Sequence, residues 1–293
     1  MSGQIAHVGP NLPQDLLRAS GRHAGPLPFD PERPTPVADQ WMETKFAPWA
    51  RAILEGWAAG DYDHLAQVLF SRADDSAQRL YYYLCELQRR GLVAGPEPLI
   101  LDIAKVPRAS SVQHTAHSVR KLAERLEVTE SALIGAIEAC NAERRIPATA
   151  LSGKVCLLSG TPPPDRRLHE AAARADFVAV GMTLVETWTD LGAPVSAGDP
   201  VAAIAQHLHA DPAGPRAFAD AGAALRQELE RSGAAAVVLW QIEEDEAQAW
   251  HLPAQRAALD KAGVPALVLT RRDWLARDGA AEEIAAFLAG LES

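Results

Sequence analysis

The chain has too little of several things for whole classes of function. It holds three cysteines, Cys85, Cys140 and Cys156, with no Cys-x-x-Cys and no histidine pair at zinc-like spacing beside them. Sparse, odd-numbered cysteine reads as reduced thiol packed in a core, not as a disulfide framework. Basic residues are in deficit, 28 Lys and Arg against 38 Asp and Glu, for a net charge of −10. No excess of cation is left to neutralise phosphates along a nucleic acid. No apolar run reaches the roughly 18 residues of a membrane helix. The opening MSGQIAHVGPNLPQDLL lacks the charged-then-apolar pattern of a leader, so a cytoplasmic protein is expected. Neither G-x-G-x-x-G nor G-x-x-x-x-G-K-[ST] occurs.

What is present is an alternation of short apolar runs with amphipathic stretches. Val68-Leu69-Phe70 reads as a buried strand, broken by Ser71-Arg72-Ala73-Asp74-Asp75-Ser76. In the helix that follows, capped by Asp75 or Ser76, Leu80, Leu84 and Leu87 share a face, and Gly91 suits a left-handed stop. Of Tyr81, Tyr82 and Tyr83, at least one should reach the core. Residues 97–103 form a second strand whose exit carries Lys105 and Arg108, with Ser110-Ser111 capping the next helix. Trp49, Ile53 and Trp57 fall at helical spacing and read as core or subunit contact.

Near residues 148–153 the pattern restarts. Strands are expected at 154–158, 176–180, 234–240 and 264–270, with helices between them. Asp199 caps a helix whose first turn holds Pro200. Strands apolar on both faces and alternating with helices mean parallel sheets under helices. The expected fold is therefore α/β: two tandem Rossmann- or flavodoxin-like parallel-sheet domains with additional helices. The divisions read as an extended, Pro- and Gly-rich arm over 1–38, a first domain over 39–150 with a helical segment, and a second over 151–293.

Three constellations carry candidate chemistry. Asp74 and Asp75, with Asp245 and the surrounding Glu243, Glu244 and Glu246, lie in strand-exit loops, where open α/β sheets hold ligands. Such carboxylates suit a hard cation or acid–base work; they suit helix capping and a solvated loop better. Ser159-Gly160-Thr161 follows a strand and opens a helix, a geometry for holding an anion, although the three prolines beyond it remove donors. Arg72, Lys105 and Arg108 follow strands and could meet phosphates or stay solvated.

The segments SRADDSAQRLYYYLCELQRRG, PLILDIAKVPRASS, KVCLLSGTP, GDPVAAIAQHL and AAAVVLWQIEEDEAQAWHLPAQRAALDKAGVPALVLTRRD, in that order, resemble the 2-hydroxyacyl-CoA dehydratase D-component and benzoyl-CoA reductase subunits. The resemblance runs from about residue 40 onward. It implies an α/β subunit that pairs with a homologous one, as heterodimer or homodimer, and binds acyl-CoA with Ser159, Gly160, Thr161, Arg72, Lys105 and Arg108 as anion contacts. The strand-exit loops of the two halves are then expected to face one interdomain cleft. It also implies an enzyme assembly, a lyase or an acyl-CoA reductase, with a 4Fe–4S cluster on three cysteines. The implied cysteine positions fall at about Asp74, at Gly181-Met182-Thr183 and within Glu243–Glu246, and none is cysteine. Sulfide-bridged iron needs thiolate ligands. The expectation is a subunit with no cluster of its own beside a cluster-bearing partner. The alternative is a stand-alone ligand- or metal-binding protein or enzyme using Asp74, Asp75, Glu243 and Asp245.

Overall fold

A computed structural model describes residues 3–146, 151–211 and 219–291. The chain forms two units, each built on a four-stranded, all-parallel sheet. In the first unit the elements are β1 (Gln4–Val8), α1 (Gln14–Ala19), β2 (His23–Pro26), α2 (Pro48–Ala58), β3 (Leu65–Ser71), α3 (Asp75–Arg89), β4 (Glu97–Leu101), α4 (Ala109–Arg125) and α5 (Glu130–Arg144). In the second half follow β5 (Lys154–Gly160), α6 (Arg167–Ala173), β6 (Phe177–Val180), α7 (Leu184–Thr189), α8 (Pro200–Ala210), α9 (Ala221–Ser232), β7 (Ala236–Ile242), α10 (Glu246–Ala249), α11 (Leu252–Ala262), β8 (Ala266–Arg272) and α12 (Ala280–Gly290).

The strand orders are β2-β1-β3-β4 and β6-β5-β7-β8. Each sheet thus follows the same 2-1-3-4 pattern, with direction reversing between its first and third strands. In open α/β sheets the carboxyl ends of the strands at such a reversal are the usual ligand position. No described helix is long and apolar enough to cross a membrane.

Residues 1–38 are not an arm. β1 is an inner strand of the first sheet, paired with β2 on one side and β3 on the other. Ile5, Ala6, His7 and Val8 are all buried. Five residues between Gly- and Pro-rich flanks give too short a pattern to read as a strand, and parallel pairing with a distant partner supplies what the local sequence does not.

The division into 39–150 and 151–293 is likewise corrected. The first unit takes in Met1–Glu43, Trp49–Pro147 and Trp188–Phe218; the second has Thr44–Pro48, Ala148–Thr187 and Ala219–Ser293. Packing is the reason. Val195, Ala203, Ile204 and Leu208 share one core with Ile5, Leu16, Leu69, Leu101, Val119, Leu122, Leu133 and Ile137. Each large aliphatic side chain buried there contributes about 1.5–3 kcal/mol, so α8 joins the sheet that buries its apolar face.

Local chemistry sets the element ends. Asp74, extended at φ −118°, accepts Ala77 N–H at 2.7 Å and starts α3, which buries Ala77, Leu80, Leu84 and Leu87. Tyr81, Tyr82 and Tyr83 miss that stripe: Tyr82 is exposed and the other two are half-buried, so none is core. α4 begins at Ala109, with Arg108 and not a serine at its N-cap. Asp199 and Pro200 open α8 as expected. Trp49, Ile53 and Trp57 are buried; Trp49 meets Trp188 edge-on at 5.1 Å and Trp57 lies on Phe70 at 6.3 Å.

Candidate functional site

At the carboxyl edge of the first sheet, β3 leaves through Ser71, Arg72, Ala73 and Asp74. Ser71 Oγ accepts Ala73 N–H at 3.1 Å and Asp74 caps α3, while Asp75 occupies the helix's first turn. An acid there is favoured by the partial positive charge of the helix start. Asp74 therefore serves as the cap, and Asp75 lies in the first turn beside it. Arg72 turns toward the end of β4, where its Nη1 donates to Asp102 Oδ1, and Asp102 Oδ2 lies 3.0 Å from His114 Nε2 on α4. The sequence flags Arg72 only. Asp102 and His114 sit 12 residues apart, on a strand end and a helix, with no spacing motif to mark them.

The other two cations have different fates. Lys105 is buried and donates to Leu208 O and Asp211 O, both at 2.7 Å. It satisfies carbonyls at the end of α8, where a cation also complements the helix dipole. Burial pulls its pKa down to about 8 against the raising effect of Asp211. Buried, and with two of its three N–H donors on these carbonyls, Lys105 is not placed to meet a CoA phosphate. Arg108 is exposed at the start of α4 and its side chain makes no capping bond.

The end of β1 closes against β3. Gly9 has φ +95°, and a Cβ there would lie 2.8 Å from Ser71 Cβ. Just beyond, Asn11, at φ 58°, donates through Nδ2 to Asp211, and its buried Oδ1 has no partner among the described residues. Upstream, the buried His7 bonds His23 at 2.9 Å and the carbonyl of Trp188 at 3.1 Å, and Gln14 donates to the same carbonyl.

In the second sheet the Ser159-Gly160-Thr161 cradle is corrected. Ser159 and Gly160 are still strand, and the next helix starts only at Arg167. Thr161 N–H donates to Trp240 O at 2.8 Å, so that amide is spent on β7. The Thr161 hydroxyl donates to Asp245 Oδ2 at 3.2 Å, and Ser159 Oγ donates to Glu228 at 3.1 Å. Burial raises the Glu228 pKa. Asp245 is therefore a latch between the exits of β5 and β7. Around it Glu243 pairs with Arg271 and Glu246 with Lys45. Gly160 is required where it stands: at φ +103°, an added Cβ would come within 2.0 Å of Trp240 O. Gly160→Ala should therefore cost more than about 2 kcal/mol in urea unfolding of the second unit, since both overpacking and positive φ oppose it. A loss near zero would mean the two strand exits are not in contact.

The thiols do not fit a cysteine-ligated cluster. Cys85 lies on α3, Cys140 on α5 and Cys156 in β5. Burial raises all three pKa values, Cys140 to about 11 and Cys156 to about 12. Such thiols stay protonated at neutral pH, whereas the ligand is the thiolate. Among the described residues no group of three or more His, Cys, Asp or Glu could hold a metal ion. No protein-family model matches the chain, and no curated protein matches it.

Proposed function

We propose that this chain is a subunit of a 2-hydroxyacyl-CoA dehydratase- or benzoyl-CoA reductase-like complex that carries no iron–sulfur cluster and supports a cluster-bearing homologous partner and its acyl-CoA. The observation that carries the reading is the repeated 2-1-3-4 parallel sheet, whose strand-exit loops hold aspartates at two positions where the resemblance implies cysteine. Those aspartates are engaged in closing the loops: Asp74 caps α3 and Asp245 takes the Thr161 hydroxyl. The same engagement weighs against a stand-alone site built on Asp74, Asp75, Glu243 and Asp245. In the proposed role the lyase or reductase chemistry belongs to the assembly, and this chain contributes surface and acyl-CoA contacts. The experiment is anaerobic purification of the chain alone and together with a cysteine-bearing homologue. The expected result is a stable heteromer with iron and acid-labile sulfide, and neither element on the chain alone. Stoichiometric iron and sulfide on the lone chain would overturn the reading.

A further inference from the structure

The cluster at the ends of β3 and β4 has an unsatisfied donor, Arg72 Nε, and a definite orientation. Asp102 divides its carboxylate, giving Oδ1 to Arg72 Nη1 and Oδ2 to His114 Nε2. With Nη1 committed, the other edge of the guanidinium, Nε with Nη2, is the planar fork that matches a carboxylate or phosphate. On that edge Nε is buried and has no acceptor among the described residues. His114 Nε2 on the second oxygen holds the Asp102 carboxylate in place, so the open Nε donor of Arg72 stands beside one fixed carboxylate.

Their position is the one where a parallel sheet presents ligands. Ser71 and Leu101 are paired in register, and Arg72 N–H donates to Leu101 O at 3.3 Å, so Arg72 and Asp102 are the first residues past two adjacent strands. At the start of the helix that follows, the Asp74 carboxylate already takes the Ala77 amide. Arg72 is half-exposed while its Nη1 stays on Asp102.

We propose that Arg72, held by Asp102 and flanked by His114, binds a small ligand through that ligand's carboxylate or phosphate group. The proposal deepens the anion contact expected at Arg72 in the subunit reading, and it is tested on the full chain alone, so that either can fail without the other. The direct readout is the Nε–Hε resonance of Arg72 in nitrogen-15-labelled protein, titrated with inorganic phosphate and, separately, with acetate, against sodium chloride at equal ionic strength. The expected result is a saturable downfield movement with at least one of the two anions and none with chloride. Saturation by phosphate alone assigns a phosphorylated ligand, and by acetate alone a carboxylate. Arg72→Lys keeps the charge but loses the fork, and should bind the same anion at least tenfold more weakly by calorimetry. His114→Gln should keep the resonance shift and weaken binding a few-fold. An Arg72 resonance unmoved by both anions, or Arg72→Lys binding as tightly as the wild type, would overturn the proposal. The titration of wild-type protein decides the matter even if a variant folds poorly.

Discussion

Asp15→Ala should lower the unfolding free energy of the first unit by about 3–5 kcal/mol, the cost of leaving a buried charge without its partner. Asp15 on α1 and Arg144 on α5 have side chains only 1% exposed each. They meet in a bidentate pair, Nη1 to Oδ1 at 2.7 Å and Nη2 to Oδ2 at 2.8 Å. The guanidinium also donates from Nε to Leu191 O at 3.0 Å and from Nη1 to Asn141 Oδ1 at 3.1 Å. Asn141 in turn brackets Val195, donating to its carbonyl and accepting its N–H, both at 2.9 Å. Without Asp15 the positive charge has only neutral dipoles around it. Replacing both partners, Asp15→Leu with Arg144→Met, should recover most of the loss, because an apolar pair needs no compensation. The exposed pair of Glu86 and Arg89 on α3 gives the control, with little or no change in stability on removal. Urea unfolding of the three variants checks this. An Asp15→Ala loss as small as that of the surface pair would show that the charge escapes to water.

The second large effect is loss of stability in acid, centred on His7. Burial, and then the neighbouring His23, drive the His7 pKa from 6.5 down to about 3. Burial and then Arg18 bring His23 to about 4. Hydrogen bonding gives the reason in atoms. His7 Nε2–H donates to Trp188 O, so Nδ1 must accept from His23 Nε2–H. A proton added to His7 Nδ1 would force His23 to give up its Nε2–H and would place a positive charge in a buried site. Below pH 6.5 the unfolded chain takes up this proton and the folded chain does not, so the unfolded state binds more protons and stability falls as pH falls. The contribution is complete above about pH 6.5 and is drained progressively toward pH 3. For His7 the slope is about 1.4 kcal/mol per pH unit, or about 3 kcal/mol between pH 6.5 and 4.5. His23, less deeply buried, adds a smaller share. His7→Gln should flatten the stability–pH curve by about one proton across that window, measured by urea unfolding at pH 7.5, 6, 5 and 4.5. Parallel curves for variant and wild type would refute the assignment.

Much of the architecture is legible in the residues because it rests on short-range chemistry. Val68-Leu69-Phe70 followed by a capping aspartate and leucines at 80, 84 and 87 spells out a strand, a turn and a helix face. The same holds for Asp199-Pro200 and for the strands from 154 onward. The illegible parts depend on partners far along the chain. β1 reads as arm because five residues between Gly- and Pro-rich flanks show no periodicity, and only pairing with β2 and β3 makes them a strand. Asp15 looks like a first-turn surface acid until Arg144 arrives across 129 residues. Lys105 looks like a loop cation until the end of α8 is laid over it. In the candidate sites the failure has one form. Residue type and strand-exit position mark Asp74, Thr161 and Asp245 correctly as polar groups at sheet edges. They do not say whether those groups face a ligand or each other, and here they largely face each other. The Arg72, Asp102 and His114 group went unmarked because its three members come from three different elements.

The borrowed segment that contains α8 bears on how the protein is made. All four strands of the first sheet have left the ribosome once Leu101 is out, yet Val195, Ile204 and Leu208, which complete its core, are translated only after β5 and β6. The nascent chain must hold the apolar faces of α4 and α5 unsealed while it begins the other sheet. The core of the first sheet is thus completed by residues made only after the second sheet has begun. A front fragment cut near residue 150 holds Arg144 without Leu191 and Val195, and should be less stable than the first unit of the full chain.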